Sequence, residues 1–216
     1  MTNKEQIIAS EADNWFKRNI KDLEKNFNPY PSSILVEWLN SYENAPQNNM
    51  LEIGCGPGFN LDFLSASLNM KGYGIEPSRL SIEYAQKHFP NITVFSGTAD
   101  DLSDLESDCF EYVHLGFFMY LVDDMYIDAV VSESSRVLKN GGFLSILDFD
   151  VMKPSTKEDS HSKNLMIFKR DQSEAFLNSN RFALINKHTF SSLNHKEIDL
   201  DTDRFSLQLL TKRAKD

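Results

Sequence analysis

Apolar and polar positions along this chain follow two periods that take turns. Ile8, Ala12, Trp15, Phe16, Ile20, Leu23 and Phe27 recur at close to helical spacing, which predicts one amphipathic helix, or two, across the first 28 residues. NPYPSS at 28–33 is a breaker followed by a cap signal, after which Ile34, Leu35, Trp38 and Leu39 resume a helical stripe. From residue 50 the pattern shortens. MLEIG reads as a buried strand, NLDFLSASL as a helix, YGIE as a strand, SRLSIEYAQKHF as a helix and ITVFSG as a strand. FEYVHLGFF is the fourth strand, Asp123 to Leu138 a capped helix, and FLSILDFD the fifth strand after the turn Asn140-Gly141-Gly142. The polar stretch KPSTKEDSHSK that follows Asp150 predicts a mobile loop, and beyond it come a helix near 171–179 and the strands FALINKHTF and FSLQLLTKR. Those two strands are consecutive, so they should pair antiparallel. Strand and helix alternating through short links indicate an α/β fold, a mostly parallel sheet with helices on both faces. No internal repeat or low-complexity segment interrupts it.

Composition narrows the partners. At 216 residues and 41% apolar, the chain suits one α/β domain with a well-buried core. A net charge of -10 disfavours nucleic acid and anionic membrane surfaces, and no Lys/Arg cluster overrides it. Cys55 and Cys109 form neither a metal-spaced pair nor a disulfide framework, which suits a reducing cytoplasm. The polar amino terminus lacks the apolar stretch of a signal peptide, and no segment approaches the roughly 20 apolar residues of a membrane span, so a soluble, cytoplasmic protein is expected. Oligomeric state leaves no mark on the sequence.

The chemistry concentrates in LEIGCGPGFN at 51–60, where Gly54, Gly56 and Gly58 directly follow the first strand. In an open parallel sheet, ligands bind at the carboxyl ends of the strands, and the turn after the first strand lies there. Glycines let the backbone approach a ligand, and the following helix offers unpaired N–H groups. A nicotinamide-binding fingerprint needs glycine at its first, third and sixth positions; the sixth here is Phe59. Glu52, inside the strand, is costly to bury unless it meets a cation or several donors.

EIGCGPG at 52–58 resembles the first motif of the class I S-adenosylmethionine-dependent methyltransferases, an acidic residue followed by three alternating glycines. The resemblance implies a Rossmann-like, mostly parallel seven-stranded sheet with an antiparallel C-terminal strand. It places Glu52 near the cofactor's methionyl ammonium and Gly54, Cys55 and Gly56 beside the cofactor, with Asn60 close by. GYGIEPS ends a strand with Glu76, 22 residues after Gly54, where the family puts an acidic residue on the two ribose hydroxyls, and Pro77 follows it. A carboxylate fits that diol with both oxygens. SGTADDL matches the adenine-contacting region, with Thr98, Ala99 and Asp100 sharing the role because Thr98 stands where the family often has Asp. DCFEYVHLGFFMYLVDD matches the strand that floors the cofactor, ending in Leu115, Gly116 and Phe117. The likeness covers roughly residues 50 to 150.

The amino-terminal helix in this family commonly lids the cofactor, which implies a lid over residues 1–45, with Trp15, Arg18 and Asn19 toward the ligand, on a cofactor-binding core of 46–216. NWFKRN, YPSS, GTADDL and LDFD are similar to small methyltransferases of polysaccharide and nodulation-type biosynthesis, and suggest a small acceptor, a sugar-linked hydroxyl or amine. Methyl transfer to oxygen needs a base or a metal. Asp150 and Tyr30 rank first as base, ahead of Asp148 and Tyr120. Asp148-x-Asp150 with His161 is a weak divalent pattern, and strand-end solvation explains it better, so no metal site is expected. His114, inside a strand, reads as a core histidine. The rival readings are a cofactor-binding protein without catalysis and, disfavoured by Phe59, a nicotinamide-dependent oxidoreductase.

Overall fold

A computed structural model describes residues 3–159, 165–190 and 204–214, with side chains from residue 5. The amino-terminal stripe forms one helix, α1 (Asn3–Asn26), and the second stripe forms α2 (Ser32–Asn40) after a cis Tyr30-Pro31 bond. The alternating core follows as β1 (Asn49–Ile53), α3 (Phe59–Ser67), β2 (Lys71–Glu76), α4 (Arg79–His88), β3 (Ile92–Ser96) and β4 (Phe110–Gly116). A 3-10 turn at Met119–Leu121 leads to α5 (Asp124–Val137), whose N-cap Asp123 accepts from the Met125 N–H. Next come β5 (Leu138–Phe149), β6 (Ser155–Glu158), β7 (Met166–Lys169), α6 (Glu174–Asn178), β8 (Phe182–Phe190) and β9 (Phe205–Lys212).

Among the described residues, seven strands form one sheet in the order β3-β2-β1-β4-β5-β9-β8. The pairs β1–β2, β1–β4, β2–β3 and β4–β5 are parallel, and β9 runs antiparallel to both neighbours. This is the expected Rossmann-like architecture, with the last strand inserted between β5 and β8. The strand order reverses at β1 and β4, so their carboxyl ends border the crevice where such sheets take ligands.

Register decides which side chains meet which layer. Met50, Tyr112 and Phe143 share one sheet face and pack with Leu35 and Leu39 of α2 and Leu61 and Leu64 of α3. Leu51, Val113 and Leu144 occupy the other, with Ile127 and Val130 of α5 and Phe176 of α6. Glu52 and Glu76 lie in the first set by parity, so both carboxylates end on the α2–α3 face.

Three local expectations change. Residues 155–158 are not a loop but strand β6, paired antiparallel with β7; all four of its side chains are exposed, so no alternation marked it. His161 lies outside the described residues. Asn140-Gly141-Gly142 does not precede the fifth strand but bulges within it: Phe110 pairs with Leu138 and Tyr112 with Phe143, leaving the residues between looped out. The helix expected near 171–179 is shorter, Glu174–Asn178.

Candidate functional site

The glycine turn is latched to the neighbouring strand. The N–H groups of Gly54 and Cys55 both donate to the Ile75 carbonyl, at 2.8 and 3.2 Å. Gly58 caps α3 in the left-handed region at φ 91°, and a β-carbon there would lie 2.8 Å from Ile92 Cδ1 and 3.2 Å from Phe89. The fifth motif position is therefore glycine on two counts. The sixth, Phe59, packs against Phe27, Tyr84 and Phe89 with ring centroids 5.2–5.8 Å away, which is why no third fingerprint glycine stands there. Cys55 buries its sulfur against Gly74 and burial pushes its thiol up, so its side chain is core and only its backbone borders the turn.

Two buried carboxylates flank this turn. Glu76 Oε2 accepts from the Gly56 N–H and Oε1 from the Ser78 N–H, each at 2.9 Å. Each oxygen keeps a second acceptor site for a ligand hydroxyl. Burial pushes Glu76 up to about 7 against those two hydrogen bonds. Glu52 is 3% exposed; its Oε1 accepts from Asn60 Nδ2 at 2.9 Å, and its Oε2 has no protein partner among the described residues. Burial pushes Glu52 up to about 8, with Asn60 opposing and Glu76 adding. A cationic ligand group would relieve both the desolvation and the orphaned oxygen. Asn60 is itself held by the Ser32 hydroxyl at the start of α2. Pro77 joins Glu76 to the α4 cap, where Ser78 Oγ accepts from the Ser81 N–H.

Helix α1 crosses this region and is fastened by a residue the sequence reading missed. Asp13 Oδ1 accepts from the Ser78 hydroxyl at 2.6 Å and from the Leu80 N–H at 3.1 Å, so it binds the start of α4. Phe16 meets Tyr84 edge-on at 5.8 Å, and the Tyr84 hydroxyl reaches Glu24. Trp15 comes within 3.8 Å of where a Gly56 side chain would start and is 39% exposed, an indole laid at the rim of the glycine turn. The Arg18 charge acts on Tyr120, opposing the rise that burial gives its hydroxyl. Asn19 donates its amide to the Trp15 carbonyl of its own helix.

Opposite Glu76, Thr98 pairs with Asp101 in an isolated bridge, and the following backbone is held by α5: Glu133 accepts from the Leu102 N–H and Arg136 donates to the Leu102 and Leu105 carbonyls. Thr98, Ala99 and Asp100 are thereby set in one turn at the end of β3. Leu115 is fully buried in the core, so it can offer a ligand only its backbone. Gly116 borders Glu52 Oε1, and Phe118 presses its ring against Gly54. Phe117 turns at φ 60° and starts an aromatic wall with Tyr120, Phe149 and Phe205, centroids 5.1–5.9 Å from its own. Lys169 of β7 lies 4.3 Å over the Phe149 ring.

The first-ranked base is otherwise engaged. Asp150 is 1% exposed and paired with Lys187 Nζ at 2.9 Å and with Arg204 at 3.3 Å, and Lys187 also holds Asp171 at 3.1 Å. Both cations come from the β8–β9 region, far along the chain. Asp150 is thus the centre of an ion-paired knot at the carboxyl end of β5. Asp148 is equally committed, accepting from the N–H groups of Phe149 and Tyr120 and so clamping the turn after β4. Tyr120 is pushed up to about 12 by burial, with Asp148 and Asp159 adding, which makes it a poor base at neutral pH. No group of three or more His, Cys, Asp or Glu side chains is placed to hold a metal among the described residues.

With this geometry in place, comparison with known proteins is informative. A family model described as a methyltransferase domain matches residues 50–142. An uncharacterized methyltransferase of Synechocystis is 27% identical over 104 residues, 48% of each protein, so the chain matches about half the length of that relative. A crystal structure of an S-adenosylmethionine-dependent methyltransferase from Methanosarcina mazei superposes with a TM-score of 0.67 at 16% identity, covering 86% of this chain and 99% of that one. A geranyl diphosphate methyltransferase in complex with GPP and sinefungin gives 0.64 at 15% identity, over 83% and 78% of the two chains. Identities this low show a shared fold. Together with the match at 50–142, they show a Rossmann-like fold whose centre is similar to a methyltransferase domain.

Proposed function

We propose that the chain transfers a methyl group from S-adenosylmethionine to a small-molecule acceptor. The observation that carries this reading is the pair of buried carboxylates on either side of one glycine turn. Glu76 has two oxygens with spare acceptor sites for a ribose diol, and Glu52 has an orphaned buried oxygen suited to an ammonium. The backbone of Gly54, Cys55 and Gly56 and the side chains of Asn60 and Trp15 would complete the nucleoside and amino-acid contacts. Pro77, Thr98, Ala99, Asp100, Leu115 and Gly116 would border the adenosyl group.

When bound, the cofactor supplies an already electrophilic methyl group. The protein's part is to align the acceptor and exclude water, which is where most of such a rate enhancement arises. Phe117, Tyr120 and Phe149 would form the acceptor's wall, a surface that suits the apolar face of a sugar ring. A sugar-linked hydroxyl or amine is the finer reading, supported by the sequence resemblance. Tyr30, ranked first with Asp150 by the sequence reading, is the proposed group that receives the acceptor's proton.

Residues 1–45 would act as the lid. Their second helix, α2, is packed in the core through Leu35 and Leu39, so the moving part is α1, anchored chiefly by Asp13 on α4 and the Phe16–Tyr84 contact, and ligand contacts at Trp15 add appreciably to that interface. Amide hydrogen exchange across residues 10–30 should slow by about tenfold or more when S-adenosylhomocysteine is added. Equal exchange in both states would return α1 to the permanent core and remove the lid.

A further inference from the structure

The Glu52 end of the site continues into a buried polar row. Glu52 and His114 are register partners on β1 and β4, and His114 is the partner of Ser145 on β5, so three polar side chains stand side by side on the α2–α3 face of the sheet. His114 Nδ1 lies 2.7 Å from Ser145 Oγ, and the same hydroxyl lies 2.7 Å from Tyr112 Oη. All three residues are fully buried. At the near end, His114 Nε2 and Glu52 Oε2 are buried without a hydrogen-bond partner among the described residues. The point where a side chain on Gly116 would begin lies 3.0 Å from His114 Nε2 and 3.1 Å from Glu52 Oε1.

Donor counting selects the imidazole's tautomer. When Tyr112 donates to Ser145 and Ser145 donates to His114 Nδ1, every hydroxyl proton is used and the ring proton sits on Nε2. In the reverse order, Nδ1–H donates to Ser145, Ser145 donates to Tyr112, and the Tyr112 proton is stranded in a dry site at a cost of about 1–3 kcal/mol. The first order leaves a single unmet donor, Nε2–H, on the side of the ring toward Glu52, whose Oε2 is the unmet acceptor.

We infer that His114 is a positioning residue for the amino-acid end of the cofactor. Its Nε2–H is bridged by a water to Glu52, the glycine at position 116 leaving the two side chains the room that a β-carbon would crowd, and this water donates to Glu52 and fixes that carboxylate for the cofactor's ammonium. The inference rests on the reading of Glu52 as the ammonium's partner.

Two ligands and three variants separate the outcomes. S-adenosylhomocysteine carries the amino acid; 5′-methylthioadenosine has the same nucleoside and thioether without it. By titration calorimetry, His114→Leu should weaken S-adenosylhomocysteine about tenfold while leaving methylthioadenosine within about twofold. His114→Gln, whose amide nitrogen reaches near the Nε2 position, should recover most of the loss. Equal losses for both ligands, or none for either, overturn the inference. Glu52→Gln controls the premise: if it weakens S-adenosylhomocysteine and His114→Leu does not, His114 alone is misassigned, whereas no effect from Glu52→Gln removes the Glu52 reading itself. Should His114→Leu fail to fold, a high-resolution crystal structure of the wild-type chain with S-adenosylhomocysteine decides. A water within hydrogen-bond distance of both His114 Nε2 and Glu52 supports the role, and none there refutes it.

Discussion

Replacing Glu76 with alanine should weaken binding of S-adenosylhomocysteine by about 1.5–3 kcal/mol, roughly 10- to 150-fold. The loss has two sources. Glu76 is proposed to accept from both ribose hydroxyls, and its oxygens already hold the Gly56 and Ser78 N–H groups, so the side chain also shapes the turn that receives the ligand. Glu76→Gln keeps one oxygen and should fall between the two. Calorimetric titration of the three proteins reads the order directly, and unchanged affinity in Glu76→Ala would sink the ribose assignment.

Gly58→Ala should cost the fold about 2–4 kcal/mol. About 1–2 kcal/mol comes from forcing a β-carbon into the left-handed region. The remainder comes from overpacking against Ile92 and Phe89, 2.8 and 3.2 Å from the new atom. Gly141→Ala is the internal control, because Gly141 is also left-handed, at φ 74°, but has nothing within 4 Å of the added carbon. It should lose only the conformational part. Urea denaturation midpoints compare the two, and equal losses would mean that the glycine turn is not packed as described.

The core was legible in the sequence because periodicity and chemistry agreed there. Buried parallel strands wrote themselves as MLEI and YGIE, each carrying near its end a carboxylate that has no reason to be in a strand unless a ligand meets it. The same local reading failed for Asp150, since its partners Lys187 and Arg204 arrive from strands that fold back beside it, and no spacing rule connects them. It missed Asp13 for the same reason: on α1 it is one more polar residue of an amphipathic helix, and only tertiary packing sets it on the start of α4. Strand β6 was invisible because neither of its faces is buried. His114 was legible as a buried histidine, but the orphaned nitrogen that gives it a role appears only once Gly116 and Glu52 are placed around it.

Proton linkage makes the site's chemistry measurable without an acceptor. Burial holds Glu52 near 8 and Glu76 near 7 in the fold, both above the ordinary 4.5. Above about pH 6.5 an unfolded chain has these groups ionised while the fold keeps them partly protonated, so ν_U is below ν_N and their contribution to stability falls as pH rises through 7 and 8. His114, held near 3, is neutral in both states over that window. A ligand that brings an ammonium to Glu52 favours its ionised form, so its binding must strengthen over the same range.

The most direct test is therefore a calorimetric titration of the full chain with S-adenosylhomocysteine, run at about pH 6 and about pH 8 beside a parallel titration with NADH. One-to-one binding of S-adenosylhomocysteine that tightens between the two pH values, with no saturable heat from NADH, is the predicted result. Saturable binding of NADH with none of S-adenosylhomocysteine at either pH would contradict it.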